Sequence, residues 1–326
     1  VAVDLLNLQP TKISRDLSEK IILFYGEYKS GKTTNASKFP GALLVAFEWG
    51  INALDGVYAL PMQKWTDFRQ MVYRQLTLPE VKEKFRTIVI DTADVAYDLC
   101  EKYIMAQAGV DNIKDIPYGQ GWARAEKEFD EVLRAITLEG YGLVLISHAE
   151  DKVFTDENGV EYNKIVPTLS KRARKVVLRM TDINAFSKIV EVEEGVFKPK
   201  LFLRGTPRYE AGSRFKYIEP VIDFTYEELV RAINDAIDKQ QELDGAVVVD
   251  ENRNADILAV DEVDFDEVMA EAQMVCETLL KANQANAEKI KRIVERNLGI
   301  GKKLSECTPI QADIVDVIVK ELKTLM

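Results

Sequence analysis

The sequence predicts an α/β fold: a mostly parallel central sheet with β-hairpin extensions, followed by a small α-helical domain. Three observations predict it. Short apolar runs of β type alternate with helical patterns from residue 20 to about 190, the rhythm of strands and helices that cover both faces of a sheet. The first run leads directly into Gly26-Glu27-Tyr28-Lys29-Ser30-Gly31-Lys32-Thr33, which fits the phosphate-loop pattern G-x-x-x-x-G-K-S/T. Beyond residue 241 the composition turns acidic and then helical.

The elements follow in order after an N-terminal segment, residues 1–19. Ile21-Ile22-Leu23-Phe24-Tyr25 is unbroken and apolar, as a strand buried on both faces should be. Further strands are expected at 42–47, 87–91, 142–147 and 183–190, with helical spacing over 64–77, 93–108 and 121–139. Asn158-Gly159 at the centre of 152–166 predicts an antiparallel hairpin, and 196–204 is a second β-rich stretch. Thr225 with Glu228 is a capping box, opening a helix to about residue 241 that closes the 20–241 core. Residues 242–263, with Asp244-Gly245 and Asn252-Arg253-Asn254, are expected to be an acidic flexible linker. In the helical domain, 264–326, helices are expected at 265–282 and 287–297, and a last one with Thr308 as N-cap and Pro309 as its first residue. Gly299-Ile300-Gly301-Lys302 fits either a glycine C-cap with a polar turn or a helix-hairpin-helix DNA-binding turn.

Composition narrows the chemistry. A chain of 326 residues, 47% hydrophobic, can bury one sizeable core and a second small one. Cys100, Cys276 and Cys307 are odd in number and widely spaced, which argues against a disulfide framework and for a reducing compartment. His148 is the only histidine, so multi-histidine metal sites are excluded. No apolar run approaches the ~18 residues of a membrane span, and the first residues lack a signal-peptide plan, so a cytoplasmic location without membrane partners is expected. The net charge of −11 is concentrated: residues 242–277 carry twelve acidic residues and one arginine, enough to account for all of it. Residues 164–216 carry thirteen Lys and Arg against five Asp and Glu, a basic stripe of the kind that binds nucleic acid or merely solvates a face.

The candidate site grows from the loop. Its glycines let the backbone wrap a phosphate chain, its amides and the following helix N-terminus supply positive potential, and Lys32 reaches the β- and γ-phosphates. Thr33, with Thr34 beside it, can place a hydroxyl on Mg²⁺, so ATP and Mg²⁺ are the expected ligands. Asp91 ends an apolar run, the position of a second magnesium-organising carboxylate at the carboxyl edge of a parallel strand. Glu48 ends the strand after the phosphate-loop helix, where a carboxylate can orient and deprotonate an attacking water. Ser147 and His148 end the 142–147 run near the same edge, suited to sensing a γ-phosphate by hydrogen bonding.

In this order, GEYKSGKTT, LLVAFEWG, TIVIDT and LVLISH resemble the RecA-like P-loop ATPase core. The form is that of the phage single-strand annealing and recombination proteins, the Sak-type group with AAA-like nucleotide binding. The resemblance spans about residues 18–240, including Tyr118-Gly119-x-Gly121-Trp122 and Ala211-Gly212-Ser213-Arg214. It implies an ATPase that works as a homo-oligomer, ring or filament, on single-stranded DNA, with a single-strand-binding protein as a further partner. It gives Lys32 and Thr33 the phosphate and Mg²⁺ positions, Asp91 the second metal position and Glu48 the catalytic carboxylate. His148 stands where RecA proteins carry a γ-phosphate-sensing Gln. Arg214, with Lys216 as its competitor, falls near the basic positions that reach a neighbour's nucleotide.

The resemblance also implies DNA contacts from Tyr118 and Trp122, which can stack on bases, Trp122 fitting a helix-start core aromatic equally well, and from Lys171, Arg172, Arg174 and Lys175, which can neutralise phosphates. The alternative is a nucleotide-gated scaffold that recruits replication or recombination partners with little or no hydrolysis. A small-molecule kinase is disfavoured because no Arg-rich lid region is evident.

Overall fold

The computed structural model describes residues 10–50, 52, 54–250 and 263–325. They form two compact units, one within residues 6–259 and one within 260–326.

In the larger unit the elements run β1 (Ile13–Ser14), β2 (Ile21–Gly26), α1 (Lys32–Ala36), β3 (Ala42–Ala46), β4 (Tyr58–Pro61), α2 (Trp65–Gln70), α3 (Pro79–Lys84), β5 (Thr87–Asp91), α4 (Ala93–Ala108), α5 (Gln120–Leu138), β6 (Gly142–Thr155), β7 (Glu161–Pro167), α6 (Lys171–Met180), β8 (Ile183–Glu193), β9 (Val196–Phe202), β10 (Gly212–Ser213), β11 (Val221–Asp223), α7 (Tyr226–Asp244) and β12 (Val248–Val249). The main sheet has the order β11-β9-β8-β2-β6-β5-β3-β4. From β8 to β4 every neighbouring pair is parallel, and β9 and β11 extend the sheet antiparallel beyond β8.

Strand alternation explains why the runs are apolar throughout. Leu23 and Tyr25 of β2 face one core while Ile22 and Phe24 face the other, and Leu143 and Leu145 against Val144 and Ile146 repeat this on β6. The first core is closed by α2, α4, α5 and α6, through side chains such as Trp65, Ala96, Phe129 and Val177. The second is closed by α1 and α7, through Ala36, Leu229, Ile233 and Ile237. Each large apolar side chain so buried contributes about 1.5–3 kcal/mol, and β2, central and covered on both sides, is the firmest base for the loop that follows it.

Several elements depart from the expectations. β6 does not stop at residue 147: it continues unbroken to Thr155 and turns through 156–160 into β7, so one strand spans both sheet and hairpin. Helix 64–77 gives way to a π-helical turn at Met71–Gln75. β4 and α3 were not expected; β4 is short, largely exposed and ends in proline, so it lacks the apolar signal of the interior strands. The stretch expected as a flexible linker is partly ordered. Helix α7 runs on to Asp244, where a Gly245 C-cap in the left-handed region ends it, and β12 pairs in parallel with β1. The remainder of that stretch, 251–262, and residues 1–9 of the N-terminal segment lie outside the described residues.

The smaller unit comprises α8 (Phe265–Ala282), α9 (Asn286–Leu298) and α10 (Ala312–Lys323), packed through Val268, Val275, Leu279, Val294, Val315 and Ile318. Thr308 forms a capping box with Gln311, but Pro309–Gln311 is a 3-10 turn and the α-helix starts at Ala312. Gly299 is the C-cap of α9, and the side chain of Glu295 accepts the Gly301 N–H at 3.0 Å.

Candidate functional site

The phosphate loop hangs from the carboxyl end of β2 and is bolted to β8. Gly26 has φ +148°, and a Cβ there would stand 2.0 Å from the Ser187 carbonyl oxygen, so only glycine fits. The Glu27 N–H donates to that same carbonyl at 3.2 Å, the Ser30 and Ser187 hydroxyls lie 2.7 Å apart, and the Glu27 carboxylate accepts the Ile189 N–H at 3.0 Å. Lys29 and Gly31 both turn through positive φ, Gly31 as the N-cap of α1, which begins at Lys32. Tyr28 is exposed at the loop's tip, and Thr34 is exposed on α1.

Lys32 is buried, and its ammonium donates to the carbonyls of Gly26 at 3.0 Å and Glu27 at 2.6 Å. Burial pushes its pKa down to about 8, with Asp91, Glu48, Asp94 and Glu27 partly opposing the shift. A polyphosphate would supply the full counter-charge this ammonium lacks. The Thr33 hydroxyl donates to Asp91 Oδ2 at 2.7 Å, so the two oxygen groups predicted to organise a metal stand side by side. Burial raises the Asp91 pKa, against the Thr33 hydrogen bond, and a bound cation would relieve that cost. Among the described residues no group of three or more His, Cys, Asp or Glu forms a ready-made metal cage. Mg²⁺ keeps waters and takes phosphate oxygens alongside one or two protein ligands, and the Thr33–Asp91 pair is an oxygen donor set of that kind.

Glu48 and His148 meet here too. Glu48 Oε1 accepts the Thr92 hydroxyl at 2.6 Å, and its Oε2 lies 3.4 Å from His148 Nε2. The His148 ring stacks on Tyr28 at 4.3 Å between centroids. The structure therefore brings Lys32, Thr33, Asp91, Glu48 and His148, contributed by α1, β5, the end of β3 and β6, to one edge of the sheet.

Sequence reasoning missed a buried junction beneath this set. Asp94 Oδ1 accepts the hydroxyls of Thr168 at 2.7 Å and Ser147 at 3.1 Å, while Oδ2 is buried with no hydrogen-bond partner. Burial raises the Asp94 pKa, opposed by these two hydrogen bonds. The Thr168 N–H donates to the His148 carbonyl at 3.1 Å. The junction thus ties the start of α4, the His148 position and the exit of the hairpin. Its only signal in the sequence is an acidic residue in the first turn of a helix, which is ordinary there.

Other predicted residues are placed elsewhere. Arg214 Nη1 donates to Asp182 Oδ1 at 3.0 Å and Nη2 to the Arg179 carbonyl at 3.0 Å. Asp182 also accepts the Ile21 N–H at 2.9 Å. Arg214 therefore locks the amino end of β2, roughly 17 Å of strand from this chain's own phosphate loop; its reach to a neighbouring subunit's nucleotide stays a proposal. Its competitor Lys216 is paired with Asp244, the last residue of α7. Tyr118 is 97% exposed with φ 58°, free to stack, whereas Trp122 is partly buried against the core. On α6, Arg172 and Lys175 share Glu126 at 2.7 and 2.8 Å, and Arg174 lies 4.0 Å from Glu210. Of that cluster Lys171 alone has no acidic partner among the described residues.

The parallel sheet, the phosphate loop and the strand-end carboxylates define a P-loop ATPase core. Its sequence places it further: the chain belongs to the AAA domain family AAA_24, whose profile matches residues 18–215. It is 32% identical over 333 residues to the SPbeta prophage-derived uncharacterized protein YorG of Bacillus subtilis (strain 168), over 100% of this chain and 99% of that protein. The crystal structure of the flagellar accessory protein FlaH from Methanocaldococcus jannaschii aligns with 59% of this chain and 80% of its own, at 8% identity and a TM-score of 0.33, too distant to carry an argument. No helix among the described residues is long and apolar enough to cross a membrane.

Proposed function

We propose that the chain is an ATP-hydrolysing recombination protein of the Sak-type single-strand annealing group, which binds single-stranded DNA as an oligomer and promotes annealing or homologous pairing. The observation that carries this reading is the continuity of β6. His148, 3.4 Å from Glu48, lies on the same unbroken strand that forms the hairpin to Thr155. A ligand that shifts the hairpin acts on the residue beside the candidate base. The prophage origin in the relative's name fits such a role.

In this reading Lys32 and the loop amides hold the β- and γ-phosphates, and Thr33 and Asp91 hold Mg²⁺, which when bound neutralises charge on the phosphates. Glu48, held by Thr92 and His148, accepts the proton of the attacking water. His148 reports the γ-phosphate to β6. Purified protein should hydrolyse ATP faster with single-stranded DNA present; turnover that DNA leaves unchanged would remove the coupling.

One observation favours the scaffold alternative: the α6 cations predicted to face DNA are largely neutralised by Glu126 and Glu210. Tight ATP binding with neither DNA binding nor hydrolysis would select it.

A further inference from the structure

The thirteen Lys and Arg residues of 164–216 sort by their partners. Most are held by carboxylates or main-chain carbonyls, as on α6. Apart from Lys171, those with neither a carboxylate nor a main-chain carbonyl as partner among the described residues are Lys164, Lys188, Lys198 and Arg208; Arg204 is held by the carbonyls of Ser213, Phe215 and Lys216. They lie on β7, β8, β9 and the crossing segment 205–210, so the unspent positive charge of the stripe gathers around the two hairpins.

Between those hairpins lies a groove of about 510 Å³. Phe186, Phe202 and Tyr209 line it, with Tyr209 5.0 Å from Phe202 and 5.3 Å from Phe186 between ring centroids, and Lys188 and Arg208 stand in its walls. The Tyr209 segment is strapped to β7, with Ile165 N–H donating to the Arg208 carbonyl at 2.8 Å and Glu210 N–H to the Ile165 carbonyl at 3.1 Å. By strand alternation Lys198 shares the face of β9 that carries Phe202. The one acid in the groove, Glu191, is turned to the Gly195 N–H at 2.8 Å. An adjoining hollow of about 200 Å³ shares Ile165 and Phe186 and reaches Gly26, Glu27 and Tyr28, but Glu150 and Asp151 line it and would repel phosphates.

We propose that this groove is a binding site for single-stranded DNA. A base stacks on Tyr209 and Phe202 while Lys188, Arg208 and Lys198 neutralise the flanking phosphates, a combination that tolerates any sequence. The volume suits a nucleotide-sized occupant, and the acidic hollow sets the path of the strand away from the phosphate loop. The proposal rests on the DNA-binding reading above and moves its contacts from α6 to the hairpins. The groove wall is also the strand bolted to the phosphate loop, through Ile189 on Glu27 and Ser187 on Ser30, so occupancy of groove and loop are mechanically linked.

The test is binding of a fluorescent oligo-dT to the full chain by anisotropy over a salt series. Lys188→Ala with Arg208→Ala should weaken binding at least tenfold and reduce the slope of log affinity against log salt by about 1.4, for two phosphates lost. Tyr209→Ala should weaken it about tenfold at every salt concentration. Lys188→Glu with Arg208→Glu, both exposed, repeats the test with less risk to folding than the tyrosine variant. Wild-type binding that survives these groove variants overturns the proposal and leaves DNA binding standing; a wild type that binds no oligonucleotide overturns both.

Discussion

His148 Nε2 lies 3.4 Å from Glu48 Oε2, and the other oxygen of that carboxylate is held by Thr92 at 2.6 Å. The carboxylate proposed to take a proton from water is thereby fixed between the end of the β5 strand and the strand that becomes the hairpin. Both oxygens are engaged, so Glu48 is oriented before any substrate arrives.

Glu48→Gln keeps the size and the Thr92 contact but cannot accept a proton. It should retain ATP binding and lose about 10²–10⁴-fold in turnover, read by equilibrium nucleotide binding beside phosphate release. Normal turnover in this variant would remove Glu48 from the mechanism.

The lowered pKa of Lys32 makes nucleotide affinity depend on pH in a defined direction. Below about 8 the ammonium is already charged in the free protein, so affinity should be flat. Above it the free protein must take up a proton to pair with phosphate, and affinity should fall by up to about tenfold per pH unit. Titration calorimetry in buffers of different ionisation enthalpy measures the proton uptake directly. Lys32→Arg, which stays charged, should abolish the trend.

Asp94 is buried with a pKa raised by burial. Its folded value therefore lies above its unfolded value, the folded state holds the proton more tightly, and stability is lost as pH rises through the folded value. Asp94→Asn keeps an acceptor for Thr168 and Ser147 without the buried charge. It should raise the melting temperature near pH 7 by about 2–4 °C per kcal/mol recovered, with the gain vanishing in acid. An equal effect at every pH would assign the change to packing.

The Glu27 carboxylate is the link from the phosphate loop furthest along β8 toward the groove, through the Ile189 N–H at 3.0 Å, beside the Ser187 contacts. Glu27→Ala should make oligonucleotide affinity the same with and without saturating ATP, whereas wild type should show a difference. An unchanged nucleotide effect would remove the Glu27 carboxylate from the coupling and leave it to the Ser187 contacts or to β6.

Much of this was legible because the physics is local. Unbroken apolar runs marked the two-sided strands, the glycine pattern marked the loop, and the ends of the apolar runs 42–47, 87–91 and 142–147 marked Glu48, Asp91 and His148, because parallel strands bring one end of each run to the same edge. What escaped depended on tertiary partners. The continuity of β6 past His148 is invisible where apolar alternation gives way to a polar hairpin. The charge on α6 is a property of sequence, but its neutralisation by Glu126 of α5 is not. The pairing of Arg214 with Asp182 and the packing of Trp122 against the core are likewise tertiary. Asp94 gives no signal beyond an acid in a helix's first turn.

The most direct test of the central claim is ATP hydrolysis by the full chain, with and without single-stranded DNA, across a salt series, with Lys32→Ala as control. A DNA-linked ATPase predicts stimulation that fades as salt rises and turnover that disappears in the control. Turnover that DNA does not change at any salt, or that survives loss of Lys32, would contradict it.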